Sequence, residues 1–495
     1  MTPKKIILFG AGEIGLKALK HFGDENVECF VDNNKNKVGQ TYYGKPVIGV
    51  EELAKIVANT EIVISNSFVD EISQQLKALG ITNYSSFAAS TSVALKRIIS
   101  HGEAKGGSGN IALHCVGMDS AGLIHSILES RLGDKVKYIT AESNSDQIGK
   151  NVEGYTVCDL SQTTSDIDTL IMVTEKNHAA IGALLRKKYG QLFKIIDPFR
   201  RTLFFDTDTV VYNRYTSDIE YTEEEWIDVN ENISARRLTD EFVETVADDV
   251  PLFEFIEIET INRCNGVCGF CPVNRHDDLR PEHLMDIDLF KNIVDQLTEL
   301  NFSGYFALFS NNEPLLDARI IELAQYAKVR LQKAHVYMYS NGTLFTLNKF
   351  IRIIEHLDEL VIDNYTKNLE LIKPCEEIVS YIEQNPELGK KVTISIRKPD
   401  EIITSRGGQS PNRIKIRTYG DEKCALPFRQ MVVRPDGKIS LCCNDTYGKY
   451  ALGDLTQQSL LECWYGQEYM NVREAIYKGR KHLDLCEKCD TFLML

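Results

Sequence analysis

The chain has 495 residues, too many for one hydrophobic core, and its 43% hydrophobic and 26% charged residues are the balance of a soluble globular protein, not a disordered or fibrous one. A formal net charge of -15, with no compensating Lys/Arg run, leaves nothing to neutralise a phosphate backbone, so nucleic acid is not expected as a partner. The opening MTPKKIILFGAG turns at once into a glycine-bearing strand pattern, which argues against a signal peptide or membrane span and predicts a cytoplasmic protein with no membrane partner.

The first 200 residues contain one pattern written twice. KKIILFGAGEIG, VECFVD, KVGQTYYGKPVI and EIVISNS return in the same order as NIALHCVGMDSAG, VKYITA, QIGKNVEGYTV and DTLIMVT. Each copy reads strand, glycine turn, helix, strand, the signature of a parallel sheet with helices on its faces. This predicts an α/β protein that begins with two tandem Rossmann-like domains, over 1–105 and 106–205. In the first, Gly10, Gly12 and Gly15 follow a strand and open a helix, and Asp32 ends the next strand, an arrangement suited to a phosphate at the helix start. The second copy has Cys115, Gly117 and Ser120 at the matching places and reads as a packing unit. The first copy, including KVGQTYYGKPVIG, resembles Rossmann-type domains attached to enzymes of nucleotide-sugar and surface-polysaccharide biosynthesis. That resemblance implies a nucleotide or nucleotide-sugar there; the alternative is a scaffold or dimerisation unit without a ligand.

Residues 206–250, with TDTVVYNRYTSDIEYTEEEWIDVNEN, read as an acidic linker. From Phe253 the alternation resumes as FEFIEIET, a cysteine loop, a helix over 288–300, YFALF, HVYMY, ELVID and VTISI, predicting a partial (β/α)6 barrel over 251–415. A small domain over 416–495 follows, with a hairpin in MVVRPDGKISLCC turning at Pro435, Asp436 and Gly437, then an amphipathic helix over Ser459 to Tyr477.

Ten of the thirteen cysteines lie after residue 263, and Cys29, Cys115 and Cys158, single and in apolar or mixed runs, read as small buried hydrophobes. In IETINRCNGVCGFCPVN, Cys264, Cys268 and Cys271 follow the first barrel strand. Three thiolates hold three irons of a four-iron cluster and leave the fourth open to a chelating molecule. A zinc site is the alternative, with His276 the one obvious fourth ligand. This CxxxCxxC motif, with Phe270 just before its last cysteine, resembles the radical S-adenosylmethionine (SAM) superfamily.

The resemblance implies a 4Fe-4S cluster on Cys264, Cys268 and Cys271 whose open iron takes SAM. It also implies a reducing donor such as flavodoxin or ferredoxin, and a 5′-deoxyadenosyl radical that abstracts hydrogen from substrate. SNNEPLLD stands where the family carries a GGE-like turn, with Asn311 and Asn312 in place of glycines, which predicts φ > 0 at asparagine, and with Glu313 as the acidic member. SNGTLF, with Ser340 and Asn341, resembles the turn beside the SAM ribose, though an ordinary Asn-Gly turn reads the same. Arg397 ends the fifth strand pattern, either to hold the SAM carboxylate or as a solvated side chain. Phe270, Asn312, Glu313, Ser340, Asn341 and Arg397 are therefore the candidate SAM-site residues.

Cys424, Cys442, Cys486 and Cys489, within CALPFRQMVVRPDGKISLCCND and CEKC, resemble the SPASM/twitch extension of radical SAM enzymes. The resemblance implies an auxiliary 4Fe-4S cluster, and the absence of cysteine after Cys489 predicts the shorter twitch form with one such cluster. Four-cysteine zinc is the alternative. Cys443 competes with Cys442, and Cys463 reads as core. A cluster with four thiolates has no free iron, so its expected part is to accept an electron, giving a two-electron oxidation of a small molecule such as a sugar, cyclitol or nucleotide sugar. Epimerisation or peptide modification is the rival chemistry, and a non-catalytic nucleotide-sensing scaffold the rival class. Arg406 and His276 are the candidate general bases.

Overall fold

The computed structural model describes residues 5–56, 60–66, 68–87, 94–95, 98–99, 109–115, 121–174, 177–199, 209–212, 233–273, 280–413 and 418–492. It forms two compact units, one built mainly from residues 1–203 and the other from 204–231 and 239–494.

The N-terminal unit carries the duplication. In its first lobe the parallel strands run in the spatial order Lys45–Ile48, Val27–Val31, Lys5–Phe9, Thr60–Ile64, Tyr84–Ser86. The second lobe repeats it as Cys158–Asp159, Val136–Ala141, Ile111–His114, Thr169–Met172, Lys194–Ile196. Both orders are 3-2-1-4-5, doubly wound about the first strand. Alternate residues feed two cores, Ile7, Phe9 and Val31 on one face and Leu8, Phe30 and Val63 on the other, which is why these strands read as continuous apolar runs. Even the hairpins match. Tyr43 and Gly44 have φ 51° and 79°, Glu153 and Gly154 have φ 50° and 86°, and each pair forms a two-residue turn of the kind that suits the right-handed strand twist.

The second unit holds one eight-stranded sheet: Val210–Tyr212, Val392–Arg397, Glu359–Tyr365, His335–Ser340, Tyr305–Ala307, Phe255–Ile258, Gln430–Val433, Ile439–Ser440. Every neighbouring pair is parallel except the last, the expected hairpin, in which Gly437 turns with φ 82°. Two features differ from the sequence reading. Within the stretch read as an acidic linker, Val210–Tyr212 pairs with Ile394–Ile396, and Ile233–Val246 is a helix. The Val-Val-Tyr triplet is short but strongly strand-forming, and it covers what would otherwise be an open sheet edge. The single helix expected over Ser459 to Tyr477 is two, Leu460–Trp464 and Gln467–Lys478, because the chain breaks at Gly466 in extended conformation.

Along Phe255–Ile258 the side chains alternate. Phe255 packs with Tyr305, Ala307, Phe309, Tyr337 and Tyr339 on one face of the sheet, and Glu257, two residues on, lies on that same face.

Candidate active site

The loop after Phe255–Ile258 carries Cys264, Cys268 and Cys271, all partly buried. A Cβ placed on Gly266 would lie 3.2 Å from the Cys264 sulfur and 3.9 Å from that of Cys268, so the two thiols flank one point of the loop. Burial pushes the thiols of Cys264 and Cys268 up to about 12, and each is raised further by the charge of Cys271. A cluster that binds all three as thiolates removes that penalty.

The neighbouring turns are bonded to this loop. Asn341 Nδ2 donates to Asn265 Oδ1 at 2.8 Å, and Asn265 Nδ2 donates to Thr343 Oγ1 at 2.9 Å. Glu313, 1% exposed, accepts from Leu315 N (3.0 Å), Ser340 Oγ (2.9 Å) and Asn341 N (2.7 Å). Both its oxygens are occupied within the protein, so Glu313 ties the second turn to the third. Ser340 likewise holds the turn, accepting from Gly342 N at 3.1 Å.

Asn311 and Asn312 are absent from the described residues with positive φ, contrary to the expectation from the glycine replacements. Side chains replace the glycines' conformational freedom: Asn312 Oδ1 accepts from Ser310 N at 3.0 Å, and Glu259 Oε1 accepts from Asn311 N at 2.7 Å. Asn312 Nδ2 is buried with no hydrogen-bond partner, a donor left for a bound molecule. Arg397 is neither solvated nor free to grip a carboxylate. Its Nε and Nη2 donate to Glu401 Oε2 (3.0 and 2.7 Å) and its Nη1 to Asp363 Oδ1 (3.3 Å). Phe270 is buried against Tyr365, ring centroids 5.6 Å apart, with the Arg397 guanidinium 5.9 Å from its own ring. These two residues therefore build the wall behind the cluster loop.

Cys424, Cys442, Cys486 and Cys489 line one small cavity, closed by leucines such as Leu441 and Leu485 and by the polar Asn444 and Arg480. Four thiols around a single cavity, three of them on buried residues and that of Cys424 on a partly buried one, fit a fully ligated cluster. Cys443 turns the other way, its N–H donating to Gln430 Oε1 and its thiol facing the charges of Glu257 and Arg406. Cys463 is buried, as expected of core. No three His, Cys, Asp or Glu side chains among the described residues converge as tightly as one metal ion needs, a condition a cluster does not impose because each thiolate takes its own iron.

Beside Cys443, the neighbour of Cys442, lies a polar constellation of which the sequence reading named Arg406 but missed Glu257. Glu257 accepts from Ser310 Oγ at 2.5 Å and from Gln430 Nε2 at 2.7 Å, and burial pushes its carboxyl up to about 7. Arg406, held at φ 47°, donates through Nη1 to Asn311 Oδ1 at 2.7 Å. Asn311 Nδ2 in turn donates to the carbonyl of Cys443 at 2.9 Å, so Asn311 joins the barrel to the auxiliary domain. The available signal was the set of glutamates, Glu254, Glu257 and Glu259, in the otherwise apolar strand pattern FEFIEIET. His276, Gly117 and Ser120 lie outside the described residues.

Comparison with known proteins agrees with this geometry. Residues 258–396 match the radical SAM superfamily and residues 424–490 an iron–sulfur cluster-binding SPASM domain. The chain carries a radical SAM domain and a SPASM domain. It is a radical SAM enzyme and needs an electron donor. Residues 2–87 match a C2185-like N-terminal domain. The S-adenosyl-L-methionine-dependent 2-deoxy-scyllo-inosamine dehydrogenase of Niallia circulans is 25% identical over 240 residues, 48% of this chain and 93% of that one. Among solved structures, BtrN in complex with AdoMet and 2-DOIA is 24% identical over 48% of this chain and 94% of its own, with a TM-score of 0.42. Streptococcus suis SuiB bound to S-adenosylmethionine is 13% identical over 52% and 74%, with a TM-score of 0.34. The radical SAM match spans Phe270, Asn312, Glu313, Ser340 and Asn341. No helix among the described residues is long and apolar enough to cross a membrane.

In the first lobe, Gly10 has φ 125°, and a Cβ there would stand 2.5 Å from the Ser65 carbonyl oxygen. One at Gly15 would stand 2.1 Å from the Gly10 oxygen, whereas Gly12, the residue before the helix Glu13–Phe22, faces open space. Asp32 accepts from Ala11 N at 2.9 Å and pairs with Lys37 at 3.5 Å, so its carboxylate braces the glycine loop.

Proposed function

We propose that this radical SAM enzyme is a dehydrogenase that oxidises a hydroxyl-bearing carbon of a small polyol, a sugar, cyclitol or nucleotide sugar, to a carbonyl. The observation that carries the reading is the buried carboxyl of Glu257, held by Ser310 and Gln430 and set beside Arg406 and Cys443, the neighbour of Cys442 in the four-thiol cavity. The dehydrogenase name of the Niallia circulans relative supports it. When bound, the first cluster with SAM supplies a 5′-deoxyadenosyl radical that takes a hydrogen atom, and the saturated second cluster receives the electron the substrate gives up.

The chain's own residues do the rest. Glu257, set near neutrality by burial, takes the hydroxyl proton as the carbonyl forms. Arg406, whose guanidinium offers donors and no acceptor, is a poor base and serves instead to bind the hydroxyl oxygen. Phe309, Tyr337 and Tyr339 line the same face and exclude water from a reactive radical. The substrate would thus give up one hydrogen atom, one proton, which Glu257 takes, and one electron, which a cluster held by Cys424, Cys442, Cys486 and Cys489 would accept.

Reduced, reconstituted enzyme with SAM and a panel of polyols tests this. One 5′-deoxyadenosine per carbonyl, with deuterium moving from the substrate C–H into 5′-deoxyadenosine, is the expected result. Solvent deuterium at an inverted carbon would replace oxidation by epimerisation, and no 5′-deoxyadenosine under any condition would favour the scaffold reading. A nucleotide or nucleotide-sugar on the Gly10–Gly15 loop is the second part of the proposal, supported by the unshielded space at Gly12 before a helix N-terminus. Equilibrium dialysis of labelled UDP-sugars against the full chain should detect binding, and its absence at millimolar ligand would remove that part.

A further inference from the structure

Arg480 is 1% exposed and lines the four-cysteine cavity. Its Nε donates to the carbonyl of Lys423 (3.1 Å), its Nη1 to that of Cys489 (2.9 Å) and its Nη2 to that of Thr491 (2.9 Å), and the guanidinium lies 4.0 Å from the Phe492 ring centroid. Among the described residues its partners are thus three carbonyls and a ring, with no carboxylate. A permanent cation desolvated without a counter-ion is costly unless negative charge stands beside it. Four thiolates around an iron–sulfur cube provide that charge, which grows by one on reduction. The carboxylate of Asp445, three residues from Cys442, is engaged by the N–H groups of Leu441, Lys449 and Tyr450.

We propose that Arg480 positions the auxiliary cluster and sets its redox potential. Through the carbonyls of Lys423 and Cys489 it fixes the segments bearing Cys424 and Cys489, and its charge favours the reduced, more negative cluster. The proposal rests on the SPASM cluster and requires no particular substrate, so it stands or falls separately from the dehydrogenase reading.

The test is a potentiometric titration of the reconstituted full chain followed by electron paramagnetic resonance, without substrate. Arg480→Gln should lower the midpoint of the second cluster by about 59 mV or more, a tenfold or larger change for one electron, while the first cluster stays unmoved. Arg480→Lys, which keeps the charge, should stay close to wild type. An unshifted midpoint in Arg480→Gln overturns the proposal. Loss of second-cluster iron in both variants also overturns its electrostatic half and leaves Arg480 purely structural.

Discussion

The three-cysteine loop and the four-cysteine cavity use the same side chain to opposite ends. Cys264, Cys268 and Cys271 sit partly exposed on an irregular loop, anchored through Asn265 to the Asn341 amide and the Thr343 hydroxyl of the neighbouring turn. Cys442, Cys486 and Cys489 are buried among leucines, and with Cys424 they surround one cavity. On the proposed reading the first arrangement would leave an iron for an exchangeable ligand and the second none, so that the number of thiols, more than their chemistry, would separate a site that reacts from one that only passes electrons.

The largest effect is expected at the open site. Cys268→Ala should reduce 5′-deoxyadenosine formation under dithionite to background, whereas Cys486→Ala should retain SAM cleavage in part while losing oxidised product. Equal loss of both activities in the two variants would erase the distinction between the groups. Next is the buried carboxylate beside Cys443. Glu257→Gln should lower the product-forming rate by about 10²–10⁴-fold, the range for a positioned general base. Since the ionised form is the acceptor, the wild-type rate should rise with pH through about 7, and this limb should vanish in the variant. A pH profile unchanged by the substitution would remove Glu257 from the chemistry.

Smaller effects test the supports. Glu313→Ala leaves Leu315 N, Ser340 Oγ and Asn341 N without their acceptor, at a cost of about 2–4 kcal/mol in denaturant unfolding. Burial raises the Glu313 carboxyl from 4.5 to about 7. The folded state therefore holds more protons than the unfolded one between those values, and this residue's contribution to stability falls as pH rises across that window. The slope should flatten in Glu313→Gln. Smallest is Asn311→Gly, which restores the family's glycine but removes the bonds to Arg406 and the Cys443 carbonyl. Product formation should drop by about tenfold, ~1.4 kcal/mol, with SAM cleavage unimpaired.

The regular parts of the molecule were legible because they repeat or alternate. The duplicated lobes and the barrel strands follow from apolar runs between glycine turns, and the cysteine spacings carried both cluster domains. What escaped was non-local. Val210–Tyr212 is three residues in an acidic stretch, and its strand exists because Val392–Arg397 offers an edge nearly two hundred residues later. Arg397 looked available at a strand end, yet Glu401, four residues on, and Asp363, on the neighbouring strand, consume its charge. The asparagine turn looked strained, yet Glu259 from another strand holds it without positive φ. Glu257 drew no notice because one carboxylate in a strand pattern says nothing until Ser310, Gln430 and Arg406 gather round it.

An open cluster beside a saturated one is tested most directly by counting iron and sulfide in anaerobically reconstituted wild type, Cys442→Ala and Cys443→Ala. About eight irons per chain are expected in wild type and in Cys443→Ala, and about four in Cys442→Ala. Four or fewer irons in the wild type, zinc in their place, or iron lost from Cys443→Ala but not from Cys442→Ala would contradict it.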